Sequence, residues 1–469
     1  MKRVTRRQLL KTAALGGAGA LVAACAPQTV VVTQEVIKEV EVEKPVEVIK
    51  EVEVTAVPQV GEKTLTVWGS GLDLNAYLKG DKEGYGYVCL EAQENAFKAR
   101  HPDVKLVWEE HGWDEELRQN IVTALLAGTA PDVIVGENFF QQYASLNALV
   151  PLDDAITPEI RDEAIVGTHK AAIYEGKTYG LSWFSGCFGF EANPNVLEQA
   201  GVEARIPETW DDLLVAAETV TNAGAGKFYG YTLQGPLGFS VGGMFRVAVY
   251  LEQAGAKLVK PDDPFYPNFN DPKSIPVWEF VRKLHKFTPP GLSFEADEGK
   301  VYSQLFQGIS AMQIAGSWHT EWAKRSGLDN AIYGTVPYPS DGQPASYVVG
   351  NVIWGLMSAS KVPDIGASWI MTTQSDEVQS TVDVVRLPST KRWVQKLLDN
   401  PNKMEADKIY ARMLRDTELG ILPQWRKEPN KLNQTWNDLF AAVITTEGDI
   451  KALADEAQAK AEDILKAAG

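Results

Sequence analysis

Short apolar runs alternate with helical periods along most of this chain, and that alternation constrains its fold more than any other feature. Leu65 to Trp68 is an apolar run of strand length. Glu91 to Arg100 sets Ala92, Asn95, Ala96 and Ala99 on one side of a helix. Val104 to Trp108 is a second strand. Glu115 to Ala127 repeats Leu117, Ile121, Ala124 and Leu125 at helical spacing before Gly128 stops it. Pro131 to Val135 is a third strand. Strands that alternate with helices build a mainly parallel sheet with helices on both faces, so the expected class is α/β.

The same theme returns further on. Gly180 to Phe190 is an apolar, glycine-punctuated run, and Asn193 to Gly201 reads as a short helix. Thr209 is an N-cap followed by Asp211 and Asp212 in the first helical turn, where acids suit the dipole. Phe228 to Leu233 and Ala311 to Ala315 read as strands, Ile275 to Phe287 and Val301 to Phe306 as helices. From Gly448 onward, Ile450, Leu453, Ala457, Ala461, Ile464 and Leu465 recur at helical spacing, the mark of an amphipathic closing helix. About 400 residues follow position 61, more than one ordinary domain, so two lobes are expected.

The first residues read as an address. Arg6 and Arg7 stand before an apolar run, Ala13 to Ala24, which is shorter than the roughly 20 residues that span a bilayer. The pair resembles a twin-arginine export signal, and Leu21 to Cys25 resembles a lipobox. On that reading residues 1–24 are removed, Cys25 is lipidated, and the protein is held on the outer face of the cell membrane. Residues 25–61 then form a tether. Val36 to Val42 (VIKEVEV) is repeated at Val48 to Val54, without an aromatic residue to cover the valine face. Such a charged ribbon is marginal as a sheet and reads as an extended spacer. Fully stretched, Gln28 to Gly61 would reach about 110 Å.

Composition excludes several partners. The formal charge is −17, and loss of the leader's five cations takes it to −22. An acidic chain is ill suited to nucleic acid, whose binding rests on Lys and Arg neutralising phosphates. The five histidines are scattered without ligand spacing and there is no CxxC, so no metal or other cofactor is expected. Cys89 and Cys187 could pair outside the cytoplasm or remain buried thiols.

Six segments match one family in order: GTAPDVIV from Gly128, YASLNALVPLD from Tyr143, YEGKTYGL from Tyr174, PETWDDL from Pro207, GISAMQIAGSW from Gly308 and YGTVP from Tyr333. The chain resembles, over about residues 62–469, the extracellular solute-binding proteins of the maltose-binding-protein-like group. The resemblance implies two α/β lobes joined by a hinge, with a ligand cleft between them. It implies crossings near Trp183 to Cys187, Thr335 to Pro339 and Val384 to Pro388. Lobe one is then 62–184 with 338–384, and lobe two 187–335 with 388–469. It also implies a monomer that captures a carbohydrate and delivers it to the transmembrane permease of an ATP-binding-cassette importer.

Thirteen tryptophans fit that chemistry. Flat rings cover the C–H face of a sugar, and polar side chains satisfy its hydroxyls. The family places a stacking aromatic at Trp318. Trp183, in the first crossing, either faces the cleft or packs the hinge. Asn138 and Phe139, with Phe140, follow the strand ending at Val135, and Trp68 and Ser70 end the first strand; ligands in open α/β sheets sit off such ends. Glu109, closing the second strand beside Glu110, could reach a hydroxyl. Asn351 lies in a glycine-rich stretch and Arg386 at the third crossing. One of Trp425 and Trp436 falls where the family carries another ring. Trp108, Trp113, Trp210, Trp278, Trp322, Trp354, Trp369 and Trp393 read as structural. The sequence lacks GxxxxGK[ST] and HExxH. The resemblance implies a binding protein rather than an enzyme such as a glycosidase, which would need two carboxylates about 5–9 Å apart across the bond. Other ligands open to the same fold are a glycerol phosphodiester, a polyamine or a peptide.

Overall fold

A computed structural model describes residues 63–69, 72–137, 139–237, 241–347, 352–384, 386–417, 419–423 and 425–468. The leader, Cys25 and the tether lie outside the described residues, as do Ser70, Asn138 and Asn351.

The first half opens with β1 (Lys63–Gly69), α1 (Tyr87–Arg100), β2 (Val104–Glu110), α2 (Asp114–Ala127) and β3 (Val133–Gly136). Gly128 ends α2 with φ 68°, and its amide donates to the carbonyls of Ala124 and Leu125. This left-handed cap is what glycine supplies without strain. Next come β4 (Leu181–Ser185) and β5 (Phe188–Ala192). Helix α3 (Trp210–Gly224) starts with a capping box: the Thr209 hydroxyl accepts from the Asp212 amide at 3.1 Å, and the Asp212 carboxylate accepts from the Thr209 amide at 3.2 Å. Such a cap contributes about 1 kcal/mol. Then follow β6 (Tyr229–Thr232), α4 (Gly242–Gln253), α5 (Glu298–Phe306), β7 (Ser310–Gly316), α6 (His319–Arg325), β8 (Ile332–Gly334), β9 (Val352–Leu356) and β10 (Leu387–Pro388). The chain closes with α7 (Lys391–Asp399), α8 (Glu405–Asp416), α9 (Pro429–Thr445) and α10 (Ile450–Ala467).

These strands form two sheets. The first has the order β10-β4-β9-β3-β1-β2, the second β8-β5-β7-β6. In the first, β1 pairs in parallel with β2 and β3, while β9 is antiparallel to β3 and β4, and β10 to β4. Thus β1, β2, β3 and β4 run one way and only β9 and β10 run back. In the second, β6, β7 and β8 run one way and β5 runs back. The reversed strands have a common cause. Strand β5 follows β4 after only Gly186 and Cys187, so it enters the second sheet from the crossing side. Its Phe188 therefore pairs with Gly316 at the carboxyl end of β7. Strand β9 likewise enters from the other sheet, with Val352 beside Phe184 and Ile353 beside Gly136. Both sheets thus turn the carboxyl ends of their co-directional strands toward the crossings.

Each sheet carries its own core. Around the first, Trp108 meets Trp369 at 5.0 Å and Phe97 meets Trp369 at 5.1 Å, both edge to face. Around the second, α3, α4, α9 and α10 bury their apolar faces. The stretch expected as a C-terminal part of lobe two divides. Helices α9 and α10 join the second core, whereas α7 and α8 form a smaller cluster with Cys187, Tyr333 and Leu387 over the crossings. Cys89 and Cys187 are both free and buried, in different clusters.

Candidate functional site

A cavity of about 270 Å³ opens between the two sheets where their strand ends face each other. The first lobe contributes Leu72 and Tyr85 after β1, Trp113 at the start of α2, Glu137 after β3, and Val352 at the start of β9. The second contributes Val241, Gly242, Phe245 and Arg246 from the start of α4, Glu298 and Tyr302 from α5, and Trp318 and Trp322. Arg386, just before β10, completes the lining.

Trp318 is the N-cap of α6, immediately after β7. Its benzo ring folds onto Gly316, where a Cβ would stand 1.9 Å from Cζ3 and 2.1 Å from Cη2. No other residue could sit there with the indole in this place. Tyr302 and Trp322 approach the ring edge-on at 6.4 and 6.5 Å between centroids. The guanidinium of Arg386 lies over its face, 5.0 Å from the centroid. That guanidinium also lies over Tyr85 at 5.5 Å and Phe184 at 5.7 Å, and Nη1 donates to the Tyr85 hydroxyl. Burial raises the Tyr85 phenol above its ordinary range, with Arg386 pulling it back down.

Arg246 is the second cation of the cavity. Its side chain is 5 % exposed and sits between Phe188 at 5.1 Å and Tyr302 at 5.0 Å. Nη1 donates to the Gly242 carbonyl at 2.8 Å, and Nη2 to Glu298 Oε1 at 3.1 Å. The Tyr302 hydroxyl donates to the same oxygen at 2.9 Å. Two guanidiniums, Arg246 and Arg386, therefore face two carboxylates, Glu137 and Glu298, among six aromatic rings.

Behind this wall sits a sealed polar pair. His319, the first residue of α6, is fully buried with its ring 4.2 Å from Tyr302 and 5.3 Å from Trp322. Its Nδ1 is 2.9 Å from Glu191 Oε2 on β5, and Gln313 Nε2 donates to that oxygen at 3.0 Å. The pair fixes the turn from which Trp318 and Trp322 project.

Of the residues singled out from the sequence, Trp318 and Arg386 meet on this cavity. Trp68 does not line it: its Nε1 donates to Glu109 Oε2 at 2.7 Å and its ring stacks on His111 at 3.6 Å, so Trp68, Glu109 and His111 close the end of the β1–β2 pair among themselves. Phe139 packs flat on Phe140 at 5.8 Å and against Gly136, inside the first core. Trp183 is fully buried beside Phe184 and Trp354 in the first core, on the strand that leads to the first crossing. Trp425 and Trp436 are both core residues. Trp425 donates to Asn433 Oδ1 at 2.7 Å, and Trp436 packs on Trp278 at 5.4 Å. Trp436 lies on α9, whose apolar face turns to the second core, and Trp425 packs into the same core from the segment just before that helix.

Several lining residues were not picked out by sequence, and two tryptophans assigned to packing, Trp113 and Trp322, line the cavity. The signals were present. Trp113 follows a strand end as Trp68 does, Trp322 is one helical turn beyond Trp318, and Arg246 is the only charge in the apolar run Gly242 to Leu251. Tyr85, Glu298 and Tyr302 had no such mark.

Two α/β lobes, three chain crossings and an aromatic cavity at the strand ends define a two-lobed ligand-binding protein. The model of the bacterial extracellular solute-binding proteins matches residues 81–380, and the chain belongs to that family. It is similar to a putative binding protein of Brucella abortus, 24% identical over 396 residues, covering 80% of this chain and 90% of the relative. It is also similar to a diacetylchitobiose-binding protein of Streptomyces coelicolor, 25% identical over 68% of this chain and 70% of that one. Among solved structures, an ABC transporter solute-binding protein of Thermotoga lettingae bound with alpha-D-tagatose superposes with a TM-score of 0.71 at 20% identity, over 86% of this chain and all of that one. A maltose-bound protein of Thermotoga maritima gives 0.70 at 17% identity, over 85% and 99%. No helix among the described residues is long and apolar enough to cross a membrane.

Proposed function

We propose that this chain is the receptor of a carbohydrate importer of the ATP-binding-cassette type. It captures a neutral sugar between its lobes and presents it to a transmembrane permease. The observation that carries this reading is the lining of the cavity: rings from both lobes surround a few charges of mixed sign, with Arg246 and Glu298 paired to each other. A phosphodiester would call for an excess of cations and a polyamine for an excess of acids. A neutral polyol needs rings for its C–H faces and mixed donors and acceptors for its hydroxyls. The diacetylchitobiose, tagatose and maltose partners of similar proteins support the same class.

The volume of about 270 Å³ is at the small end of ligand pockets, near the lower bound of roughly 300 Å³, and suits a mono- or disaccharide unit. Closure on that unit is a population shift driven by contacts available only when both walls engage. Outside the membrane the chain works as a monomer held by the lipid on Cys25, the tether giving the lobes their reach.

A thermal-shift panel tests the reading. Tagatose, maltose, maltotriose, mannobiose and diacetylchitobiose are compared with spermidine and glycerophosphocholine. A ligand at 100 times its Kd stabilises by about 2.7 kcal/mol. A shift with one of the sugars and with neither control is expected; a shift only with a control refutes it.

A further inference from the structure

We propose that Arg386 is an internal occupant of the Trp318 stacking face, and that a sugar enters by displacing its guanidinium. The inference rests on the sugar reading above. In this structure the Trp318 indole has no free face. Gly316 lies against its benzo atoms, Tyr302 and Trp322 hold its edges, and the guanidinium covers the ring at 5.0 Å, leaving Trp318 6 % exposed. A pyranose cannot stack where the guanidinium already sits. The protein has supplied the ring with a flat, cationic partner of its own.

The displaced guanidinium has somewhere to go. Arg386 also lines a second hollow, of about 450 Å³, on the other side of the crossing. Carboxylates of Glu83, Glu321, Asp383 and Asp407 face that hollow. Asp383 is paired with Lys403 at 3.2 Å and Glu321 with Arg325 at 2.8 Å, which leaves the hollow polar but not dominated by either sign. The backbone next to Arg386 is pinned, because Leu387 pairs with Ser185 in the first sheet. The movement is therefore a side-chain swing from one cavity to the other about a fixed strand.

The consequence is a competition. When the binding-competent conformer is a fraction of the ligand-free molecules, the apparent affinity is weakened by that fraction; at one tenth, about tenfold. Removing the guanidinium should therefore strengthen the binding of a neutral sugar. A residue that anchored a sugar hydroxyl would act the opposite way.

The experiment compares the wild type with Arg386→Met, which keeps an unbranched stem, and Arg386→Gln, which keeps polarity. Affinity for each sugar of the panel is measured by titration calorimetry. Acrylamide quenching of tryptophan emission is measured without sugar, in these variants and again with Trp318→Phe added. Expected are about five- to tenfold tighter binding in both variants, and a gain in quenching that disappears when Trp318 is replaced. Weaker or unchanged affinity in both variants overturns the proposal. If no sugar of the panel binds any of the proteins, the sugar reading falls by itself, and the quenching arm decides: no gain in accessibility of Trp318 in either variant overturns the role given to Arg386.

Discussion

The imidazole of His319 and the carboxylate of Glu191 lie 2.9 Å apart with both side chains wholly sealed from solvent. One belongs to the strand that enters the second sheet from the crossing, the other to the helix that carries the aromatic wall. Replacing His319 takes one hydrogen-bond partner from Glu191 where no water can make up the loss, leaving the Gln313 amide on the same oxygen. His319→Phe should therefore cost about 1–3 kcal/mol of stability, the usual penalty for a buried polar group left short of a hydrogen-bond partner. Exchanging both for apolar residues of similar volume, as in Glu191→Met with His319→Phe, should recover most of that loss. Urea unfolding of the two single variants and the double variant measures it; a double variant as unstable as the sum of the singles contradicts the pairing.

Gly316→Ala probes the ring from beneath. The new methyl would stand 1.9 to 2.4 Å from three atoms of the Trp318 indole, so the ring must leave its place. Overpacking of this kind costs about 1–3 kcal/mol. Sugar affinity should fall by more than the stability change implies, because the displaced indole is the platform proposed for the sugar. Calorimetry on the folded variant checks this, with unaltered affinity as the contrary result.

Stability should decline as the medium is acidified through His169. This imidazole is fully buried, and Nδ1 accepts the Ser182 amide at 3.0 Å. A proton on Nδ1 would set two donors face to face. Burial accordingly pushes its pKa down to about 4 from the ordinary 6.5. The folded state binds the proton less readily than the unfolded chain. Its contribution is thus intact above pH 6.5 and drains away as pH falls toward 4, by about 3 kcal/mol in all. His169→Gln, which keeps an acceptor, should flatten that part of the profile of melting temperature against pH. A slope unchanged by the substitution refutes the assignment.

Cys89 and Cys187 should resist alkylation in the native protein. The thiol of Cys89 donates to the Thr381 carbonyl at 3.2 Å and that of Cys187 to the Tyr410 carbonyl at 3.6 Å. Burial pushes both thiols up to about 12, so almost no thiolate exists at neutral pH. Iodoacetamide at pH 8 should leave both untouched until denaturant is added. Mass spectrometry reads the outcome, and modification of native protein at either position would show the burial to be wrong.

The lobes were legible because their strands and helices are set by local chemistry. Gly128 and Thr209 punctuate helices by backbone geometry and capping, and both act where the sequence indicates. The cavity was legible only where a ring or cation stands at a strand end or crossing, as Trp318 and Arg386 do. Trp436 and Trp322 show why the rest was not. Each lies on a helix with an apolar face, and the pattern is identical whether that face meets a core or a cavity. Only the packing of the second sheet decides it, burying Trp436 on Trp278 and leaving Trp322 beside the opening. Long-range contacts, such as Arg386 with Tyr85, depend on residues some 300 positions apart and leave no periodic trace.

Gly186 and Cys187 are all the chain that separates one sheet from the other at the first crossing, with both neighbours hydrogen-bonded into their ladders. So short a joint has no slack for sliding or for pulling apart. What it permits is pivoting, through a few backbone torsions, and a pivot so close to the strand ends turns small angular changes into a gape at the far rim. The molecule is therefore built to grip by swinging, with its axle running beside Gly316 and the indole of Trp318.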